Sequence, residues 1–352
     1  MRTIQVNYPD SDIERDDQVI LFPTFGHRSP DGQSWKVGVS GAVFELTPKI
    51  RQKLLLKILR RIMKVDEQSF ETPVFQERIQ KFLVSTERGK NVSVQIGEQA
   101  YQLQRPTKRN GHFRGWVLLN RETTEFLESN GDIDADWLRV EILSADENRR
   151  IEGVAKLVDS HGLSVISDID DTIKHSNVAD KRDLLRNTFL RDFRAIDGMA
   201  ELYRSWQNEG AVFHYVSSSP WQLFQPLYEF INEGDFPLGS FHLRAIRLRD
   251  PSVLRAFFAR RHRKQRIILS IVRMFPSRKF VLVGDSGEKD MEIYGNVARK
   301  FPQQIEKILI RSTNGKTITS ERIAKAFKNI PTSKWRFFRD ASEIAGKPID
   351  SI

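Results

Sequence analysis

Between residues 19 and 140 the apolar residues occur in short segments in which apolar and polar positions often alternate. Alternation with a period of two is typical of strands that bury one face and expose the other. Turn signals such as Asn110-Gly111 separate these segments. The clearest predicted strands cover residues 37–43, 92–96 and 138–142. A helical stretch at 48–65 interrupts them, so we predict a β-sandwich-like domain with a helical insertion over residues 1–155.

From about residue 162 onward the pattern changes to uninterrupted apolar runs that alternate with amphipathic, helix-like segments. The runs cover residues 163–167, 212–216, 241–246, 280–283 and 305–310. Continuous apolar runs bounded by helices indicate a parallel sheet that is buried on both faces. We therefore predict an α/β, doubly wound domain over residues 156–352. The junction between the domains is expected near residues 151–159, with a turn at Gly162 into the first strand.

Length and composition narrow the protein class. The chain has 352 residues, which suits two domains of ordinary size. It contains no cysteine, which excludes disulfide frameworks, thiolate zinc sites and enzymes with a cysteine nucleophile. No segment approaches the roughly 18–20 apolar residues that span a bilayer. The polar start of the chain lacks the apolar core of a secretory signal, so we expect a cytoplasmic protein.

The charge balance points to an anionic partner. The chain has 56 Lys and Arg against 46 Asp and Glu, a formal net charge of +10. Such an excess favours a phosphate ester, an acidic lipid or nucleic acid. Nucleic acid has the least support, because the chain has no zinc finger, RNA-binding strand signature or basic arm.

Polar residues follow three of the predicted strands of the second domain. Ligands of open parallel sheets bind beyond the carboxyl ends of the strands, so these residues are the first to consider. One strand leads into Asp168-Ile-Asp170-Asp171-Thr172, a second into Ser217, and a third into Gly284-Asp285 and on to Asp290. The helix before that third strand carries Lys264 on its apolar face. A buried ammonium there requires acidic partners, which the strand ends supply.

Acidic groups, a hydroxyl and a cation suit attack of a carboxylate on a phosphoryl group, with a divalent metal holding the phosphate. Asp168 is the candidate nucleophile, and Asp170 is the candidate general acid and base. The candidate ligands of Mg²⁺ are Asp168, the carbonyl oxygen of Asp170, and Asp285. The candidate phosphate-binding groups are Thr172, Ser217 and Lys264, and Asp290 is expected to support the waters of the metal.

Each of these residues also has a structural interpretation. An acidic cluster at 168–171 can cap a helix or close a turn, Ser217 can be an N-cap, and Lys264 can belong to a solvated basic face. A calcium loop is excluded, because Ile173 stands where such a loop needs glycine. Nucleotide-binding loops and serine-hydrolase elbows are absent from the sequence. The order of the residues and their placement at strand ends favour the catalytic interpretation.

The order Asp-x-Asp-x-Thr, a serine after a strand, a helical lysine and Gly-Asp-x-x-x-x-Asp resembles the haloacid dehalogenase superfamily of phosphotransferases. More narrowly, the sequences around Asp168, Ser217 and Asp285 resemble the actin-patch-associated phosphatidate phosphatase family, which is related to the lipins. The resemblance covers about residues 154–311 strongly and the N-terminal half only weakly. It implies Mg²⁺-dependent conversion of phosphatidate to diacylglycerol, with the roles assigned above. One departure is Met291, where the family pattern leads us to expect proline.

Two basic regions bear on the substrate. Residues 51–64 place apolar side chains on one helical face and Lys and Arg mostly elsewhere, a pattern compatible with peripheral contact with an anionic membrane. The alternative is an ordinary helix packed on the N-terminal domain with a wet basic side. Residues 244–266 are also strongly basic and either attract anions to the site or form a solvated surface.

The sequence leaves three functions open. The leading hypothesis is a Mg²⁺-dependent phosphatase that hydrolyses phosphatidate or a similar lipid phosphate through an aspartyl-phosphate. A second hypothesis keeps this mechanism and replaces the lipid by a soluble phosphomonoester. A third is a catalytically silent scaffold or binding protein, which the presence of Asp168, Asp170 and Lys264 disfavours.

Overall fold

A computed structural model describes residues 11–46, 50–146, 149–245, 263–313 and 318–349 of the chain. The chain divides into two compact units. The first unit comprises Met1–Thr47 and Val84–Asp159, and the second comprises Pro48–Leu83 and Ser160–Ile352.

The described residues form both β-strands and helices in each of the two units. The strands are β1 (Gln18–Leu21), β2 (Thr24–Arg28), β3 (Ser34–Leu46), β4 (Val84–Thr86), β5 (Ser93–Ile96), β6 (Gln99–Gln102), β7 (His112–Asn120), β8 (Ile133–Asp134), β9 (Trp137–Ile142), β10 (Glu152–Val158), β11 (Leu163–Ser167), β12 (Val212–Pro220), β13 (Gly239–Arg244), β14 (Lys279–Asp285), β15 (Ile305–Arg311) and β16 (Trp335–Phe338). The α-helices are α1 (Ile50–Met63), α2 (Pro73–Gln80), α3 (Arg121–Ser129), α4 (Lys181–Phe189), α5 (Met199–Asn208), α6 (Phe224–Glu233), α7 (Arg263–Met274), α8 (Asp290–Lys300) and α9 (Ser320–Ala326). Short 3₁₀ helices are Gln68–Phe70, Trp221–Leu223, Thr332–Lys334 and Ala341–Glu343.

The first unit is built on one mixed sheet of ten strands. Its main path runs β1-β3-β2-β10-β9-β5-β6, while β4 and β7 also pair with β3 and β8 pairs with β9. All of its strand pairs are antiparallel except β2 with β10. In β7 exposed and buried side chains alternate, as the sequence pattern predicts, and the inward residues Phe113, Val117 and Leu119 join the core. The more specific sandwich arrangement stays a prediction.

The second unit contains a six-stranded sheet in the order β13-β12-β11-β14-β15-β16. All five strand pairs are parallel. The predicted α/β class with a parallel sheet is therefore confirmed, and the haloacid-dehalogenase-like form of the fold stays a prediction. Strands β11 and β14 are buried almost throughout, which is why they read as continuous apolar runs. The predicted run at 241–246 ends as strand at Arg244, and its last residue lies outside the described residues.

Most of the segment in which the junction is expected, residues 151–159, is a strand of the first sheet. Strand β10 occupies Glu152–Val158 and pairs with both β2 and β9, so most of these residues belong to the first sheet. The division between the units falls after Asp159. The turn into β11 contains Gly162 as expected, with a φ of +103° that other residues rarely adopt.

The helical insertion also differs from its expected place. We predicted that it belongs to the N-terminal domain, whereas Pro48–Leu83 groups with the second unit. Hydrogen bonds from arginine side chains to backbone carbonyl oxygens explain this grouping. Arg78 of α2 donates to the carbonyl oxygens of Thr188 and Arg191 at 2.7 Å each, and Arg186 of α4 donates to that of Met63 at 2.9 Å. These hydrogen bonds join α1 and α2 to the region of α4.

No helix among the described residues is both long and apolar enough to cross a bilayer. Most of the basic segment at 244–266 lies outside the described residues.

Candidate active site

The candidate residues lie at the carboxyl ends of the three neighbouring strands β12, β11 and β14. Strand β11 lies between the other two, with Ser167 in register with Tyr215 on one side and with Val283 on the other. The Asp168 N–H continues this pairing by donating to the Val283 carbonyl at 2.9 Å. The parallel sheet thus brings the polar segments after each strand to one edge.

Lys264 of α7 reaches into this edge from the side. It is 5% exposed although it carries a charge. Its Nζ lies 3.1 Å from Asp168 Oδ1 and 2.5 Å from Asp290 Oδ1. These acidic partners raise the pKa of Lys264 well above its usual value, although burial alone would lower it. The ammonium is therefore charged and joins the segments after β11 and β14.

Three carboxylates of the site lie within ligand distance of one another. Oxygen atoms of Asp168, Glu288 and Asp290 all lie within 4.8 Å of each other. Within the described residues, these three form the cluster of acidic side chains that could hold a metal ion. Glu288 was not predicted from the sequence, and Asp290 was predicted only to support the waters of the metal. Glu288 also accepts a hydrogen bond from the Ser218 hydroxyl at 3.1 Å, which links it to the segment after β12.

Asp285 is fully buried and closes the turn after β14. Its Oδ1 accepts hydrogen bonds from the backbone N–H groups of Gly287 and Glu288 at 2.5 and 2.9 Å. Its Oδ2 is buried and has no hydrogen-bond partner among the described residues. Asp285 thus shapes the loop with one oxygen and leaves the other available to a ligand.

Burial changes the titration of these acids. Burial raises the pKa of Asp168 well above its usual value, and the neighbouring carboxylates Asp290, Glu288 and Asp285 add to the effect while Lys264 opposes it. Burial, followed by repulsion from Asp290 and Glu288, likewise raises the pKa of Asp285. Full ionisation of these acids would therefore place more negative charge in the site than one ammonium offsets.

Asp170 has a different environment from Asp168, two residues away. Its Oδ1 lies 2.8 Å from Lys174 Nζ and accepts from the Ser176 hydroxyl at 2.6 Å. Its Oδ2 accepts from the hydroxyl of Ser219 at 2.6 Å. Burial alone would raise the pKa of Asp170, but the ion pair with Lys174 and these hydrogen bonds lower it to about 2. Asp170 is thus ionised and held in one orientation.

Asp171 closes a turn, which is the structural interpretation that the sequence offered for the whole acidic cluster at 168–171. Its carboxylate accepts from three successive backbone N–H groups, those of Ser176, Asn177 and Val178, at 2.7–2.9 Å. Its φ of +55° lies in the left-handed region, which aspartate tolerates better than most residues. Asp171 therefore closes the loop that positions Asp170 and Lys174.

The two predicted hydroxyl groups are both buried. Ser217 lies within β12 rather than at a helix start, and its hydroxyl donates to Asp170 Oδ2 at 3.4 Å and accepts from the Ser219 N–H at 2.9 Å. Thr172 is fully buried, and its Oγ1 has no hydrogen-bond partner among the described residues. Met291, the departure from the family pattern, is a buried residue in the first turn of α8.

The donor set fits a hard divalent cation such as Mg²⁺. All candidate ligands are oxygen atoms, as Mg²⁺ prefers. Buried carboxylate oxygens of Asp168 and Asp285 without a hydrogen-bond partner among the described residues are the kind of atoms that a cation would satisfy. A cation among these carboxylates would also favour their charged forms.

Buried carboxylates gathered around one lysine at the strand ends of a parallel α/β unit are chemically suited to phosphoryl transfer. Residues 163–312 match the family model of the catalytic domain of phosphatidate phosphatase APP1. This match confirms the resemblance to the APP1-type phosphatidate phosphatase family that the motifs indicate. All candidate site residues from Asp168 to Asp290 lie within the matched segment.

Two curated proteins are similar to the chain. Phosphatidate phosphatase APP1 of Saccharomyces cerevisiae is 42% identical over 161 residues, which are 45% of this chain and 27% of the yeast protein. An uncharacterized protein of Schizosaccharomyces pombe is 36% identical over 202 residues, which are 56% of this chain and 33% of that protein. The chain thus matches about a quarter to a third of the length of these relatives.

The repulsion within the acidic cluster predicts that Asp285→Asn stabilises the metal-free protein at neutral pH. The variant keeps an Oδ1 acceptor for the two backbone N–H groups and removes one buried charge. Because the pKa of Asp285 is raised on folding, its contribution to stability is present below about pH 4 and is lost as the pH rises through the folded-state value. We expect calorimetry with a chelator to show a melting temperature about 2–4 °C above wild type at pH 7–8.

This difference should shrink as the pH approaches about 4, where aspartate becomes protonated in the unfolded state as well. The matched control is Glu321→Gln, an exposed carboxylate on α9, which should leave the melting temperature unchanged. A less stable Asp285→Asn variant at neutral pH would contradict the repulsion described here.

Proposed function

We propose that the chain is a Mg²⁺-dependent phosphatidate phosphatase that works through an aspartyl-phosphate on Asp168. The observation that carries this proposal is the pairing of Asp168 with Lys264 at 3.1 Å at the end of the central strand β11. Asp168 Oδ2 is buried without a hydrogen-bond partner in the described part of the chain, so one oxygen is available for attack. The match of residues 163–312 to the family model of a phosphatidate phosphatase catalytic domain supports the reaction type.

The first step is attack of an Asp168 carboxylate oxygen on the phosphorus of the substrate. The bond from Asp168 oxygen to phosphorus forms, and the bond from phosphorus to the glycerol oxygen breaks. Asp170 gives its proton to the leaving oxygen, which departs as the hydroxyl of diacylglycerol. Asp170 is ionised in the resting structure, and the like charge of the arriving phosphate favours the protonation that this step needs.

The second step releases phosphate. Asp170, now a carboxylate held by Lys174, Ser176 and Ser219, removes a proton from a water molecule. The water oxygen attacks phosphorus, and the bond to Asp168 breaks. Asp168 returns to its starting state, and the sum of the two steps is phosphatidate plus water giving diacylglycerol plus phosphate.

The other residues stabilise charge on the phosphoryl group. Lys264, Ser217 and the unpartnered Thr172 hydroxyl would bind its oxygens. Mg²⁺, when bound, supplies positive charge that offsets the phosphate and the carboxylates. The proposed ligands of Mg²⁺ are Asp168, Asp285 and the Asp170 carbonyl oxygen. Glu288 and Asp290 lie close to Asp168 and would add negative charge near the cation.

Contact with an anionic membrane is a further part of the proposal, and it rests on α1. Lys57 and Arg61 are exposed and four residues apart, so they share one face of α1, and Lys64 is exposed directly after the last residue of the helix. Leu59 and Met63 are buried on the other side. A basic stripe on the unit that also contains the site suits an enzyme whose substrate stays in an acidic bilayer.

Loss of either proposed catalytic carboxylate should slow turnover strongly. In an assay of phosphate release from phosphatidate vesicles with Mg²⁺, we expect Asp168→Asn to be at least about a thousandfold slower than wild type, because an amide does not attack phosphorus. We expect Asp170→Asn to be about 100- to 10,000-fold slower, which is the usual contribution of a general acid and base. The matched control is Asp197→Asn, an exposed carboxylate of the same unit, which should keep wild-type activity.

The same assay separates the rival functions. Equal activity of wild type, Asp168→Asn and Asp170→Asn would overturn the mechanism. Glycerol 3-phosphate and a nucleoside monophosphate serve as soluble substrates, and hydrolysis of these esters without hydrolysis of phosphatidate would overturn the lipid substrate while keeping the phosphatase. No turnover of any ester with Mg²⁺ would favour the scaffold.

The α1 stripe predicts charge-dependent membrane binding. In a sedimentation assay with phosphatidylcholine vesicles that contain phosphatidylserine, the triple variant Lys57→Gln, Arg61→Gln, Lys64→Gln should bind about a hundredfold more weakly than wild type. Each basic residue near such a surface contributes about 1 kcal/mol. The control replaces three exposed lysines elsewhere on the unit by glutamine, namely Lys300, Lys325 and Lys328. Equal losses in both triple variants would show a nonspecific charge effect and remove α1 from the proposal.

A further inference from the structure

Arg322 of α9 contacts the loop that carries the acidic cluster, although it lies beyond the segment that matches the family model. One of its terminal nitrogens donates to the Ser286 carbonyl at 2.8 Å, and the other donates to the Glu288 carbonyl at 2.5 Å. Its Nε and the second terminal nitrogen also bind the Glu292 carboxylate at 2.8 and 3.1 Å. One guanidinium thus joins the start of α8 to two carbonyls of the loop.

The loop between β14 and α8 is held from two opposite sides. Its N–H groups at Gly287 and Glu288 donate to Asp285 Oδ1, while its carbonyls at Ser286 and Glu288 accept from Arg322. The peptide groups around Glu288 are therefore fixed on both their donor and acceptor edges. This fixes where the Glu288 side chain leaves the backbone, next to Asp168 and Asp290.

The position of Arg322 is itself set by close packing of α9 on α8. Gly295 of α8 lies so near the Ala326 carbonyl that a Cβ at this glycine would collide with it. Arg299 of α8 donates to the carbonyls of Ala326 and Lys328 at 2.8 and 3.1 Å. The Thr319 hydroxyl caps α9 by accepting from the Arg322 N–H at 3.2 Å. Arg322 therefore approaches the loop from a packed helix and not from a free surface.

We propose that Arg322 is a positioning residue for the metal site, which it serves by fixing the backbone of the loop from Ser286 to Glu288. This inference rests on the proposed function, because it assumes that Mg²⁺ binds among the carboxylates at the strand ends. A planar guanidinium can serve two carbonyls and a carboxylate at once, whereas a lysine ammonium cannot match this arrangement. Groups that orient metal ligands without touching the metal typically change metal affinity by about 10–100-fold when they are removed.

The test measures binding of Mg²⁺ alone to the full chain, by calorimetric titration and by the rise in melting temperature with Mg²⁺ concentration. Arg322→Gln should weaken Mg²⁺ binding by about 10–100-fold. Arg322→Lys should recover much of the lost thermal stability but not the affinity, because a single ammonium does not hold both carbonyls. The Mg²⁺ concentration that gives half-maximal hydrolysis of phosphatidate should rise by the same factor as the dissociation constant.

Two control variants separate positioning from packing. Arg299→Gln breaks the other contact between α8 and α9, and Glu292→Gln removes the ion pair while leaving both carbonyl contacts of Arg322 in place. Both should lower the melting temperature yet bind Mg²⁺ within about twofold of wild type, against the 10–100-fold expected for an orienting group. If Arg322→Gln does not fold, Mg²⁺ binding is compared between Arg322→Lys and Glu292→Gln instead.

Wild-type Mg²⁺ affinity in Arg322→Gln, or an equal loss of affinity in Arg299→Gln, would overturn the inference. A wild-type chain that binds Mg²⁺ but does not hydrolyse phosphatidate would refute the proposed function and leave the effect of Arg322 on binding intact. A wild-type chain that binds no Mg²⁺ would overturn both.

Discussion

The compensation of buried negative charge at the strand ends is the constraint on which the site depends. Oxygen atoms of Asp168, Glu288 and Asp290 meet within 4.8 Å of one another, and Lys264 bonds to two of these three groups. If all three are ionised, three negative charges against one positive charge leave a surplus of two, which is the charge of one divalent cation. Isolated buried carboxylates cost several kcal/mol each, so this arrangement is stable only with a counter-charge. The same surplus that strains the metal-free protein is what would bind the cation.

Two aspartates of one short motif, Asp168 and Asp170, have opposite environments in the metal-free protein. Asp168 lies among other acids, where burial and repulsion raise its pKa. Asp170 lies with Lys174 and two serine hydroxyls, which hold its pKa at about 2 despite burial. These directions are the reverse of what a carboxylate nucleophile and a general acid need, so the proposed roles require a cation that favours ionised Asp168 and a bound phosphate that favours protonated Asp170. Asp171 makes the difference possible, because its three backbone hydrogen bonds shape the loop that carries Lys174.

The parallel sheet and the main site residues could be predicted because their signals are local. Continuous apolar runs gave β11, β12 and β14, and the polar residues directly after them gave Asp168, Ser217 and Asp285. Lys264 was predictable since a cation on the apolar face of a helix requires an acidic partner.

The remaining features depend on contacts between distant segments, which a single sequence does not display. Glu288 reads as an ordinary turn residue, and only the return of the loop beside Asp168 gives it a role. The helical insertion reads as part of the N-terminal region, and its grouping with the second unit depends on hydrogen bonds from Arg78 and Arg186 to carbonyls over 100 residues away. Arg322 looks like one of many surface cations, and its function follows from the packing of α9 on α8. Of these features, only Glu288 has a local sequence signal, because it is an acidic residue three positions after Asp285.

The most direct test of the account is to ask where the phosphoryl group goes during turnover. The full chain is mixed with phosphatidate and Mg²⁺, quenched in acid, digested and examined by mass spectrometry for a base-labile phosphoryl group. The account predicts that this group is found on Asp168, in the peptide that continues from β11. A phosphoryl group on the hydroxyl of Ser217 or Thr172 instead would contradict the central claim that the buried carboxylate beside Lys264 attacks phosphorus.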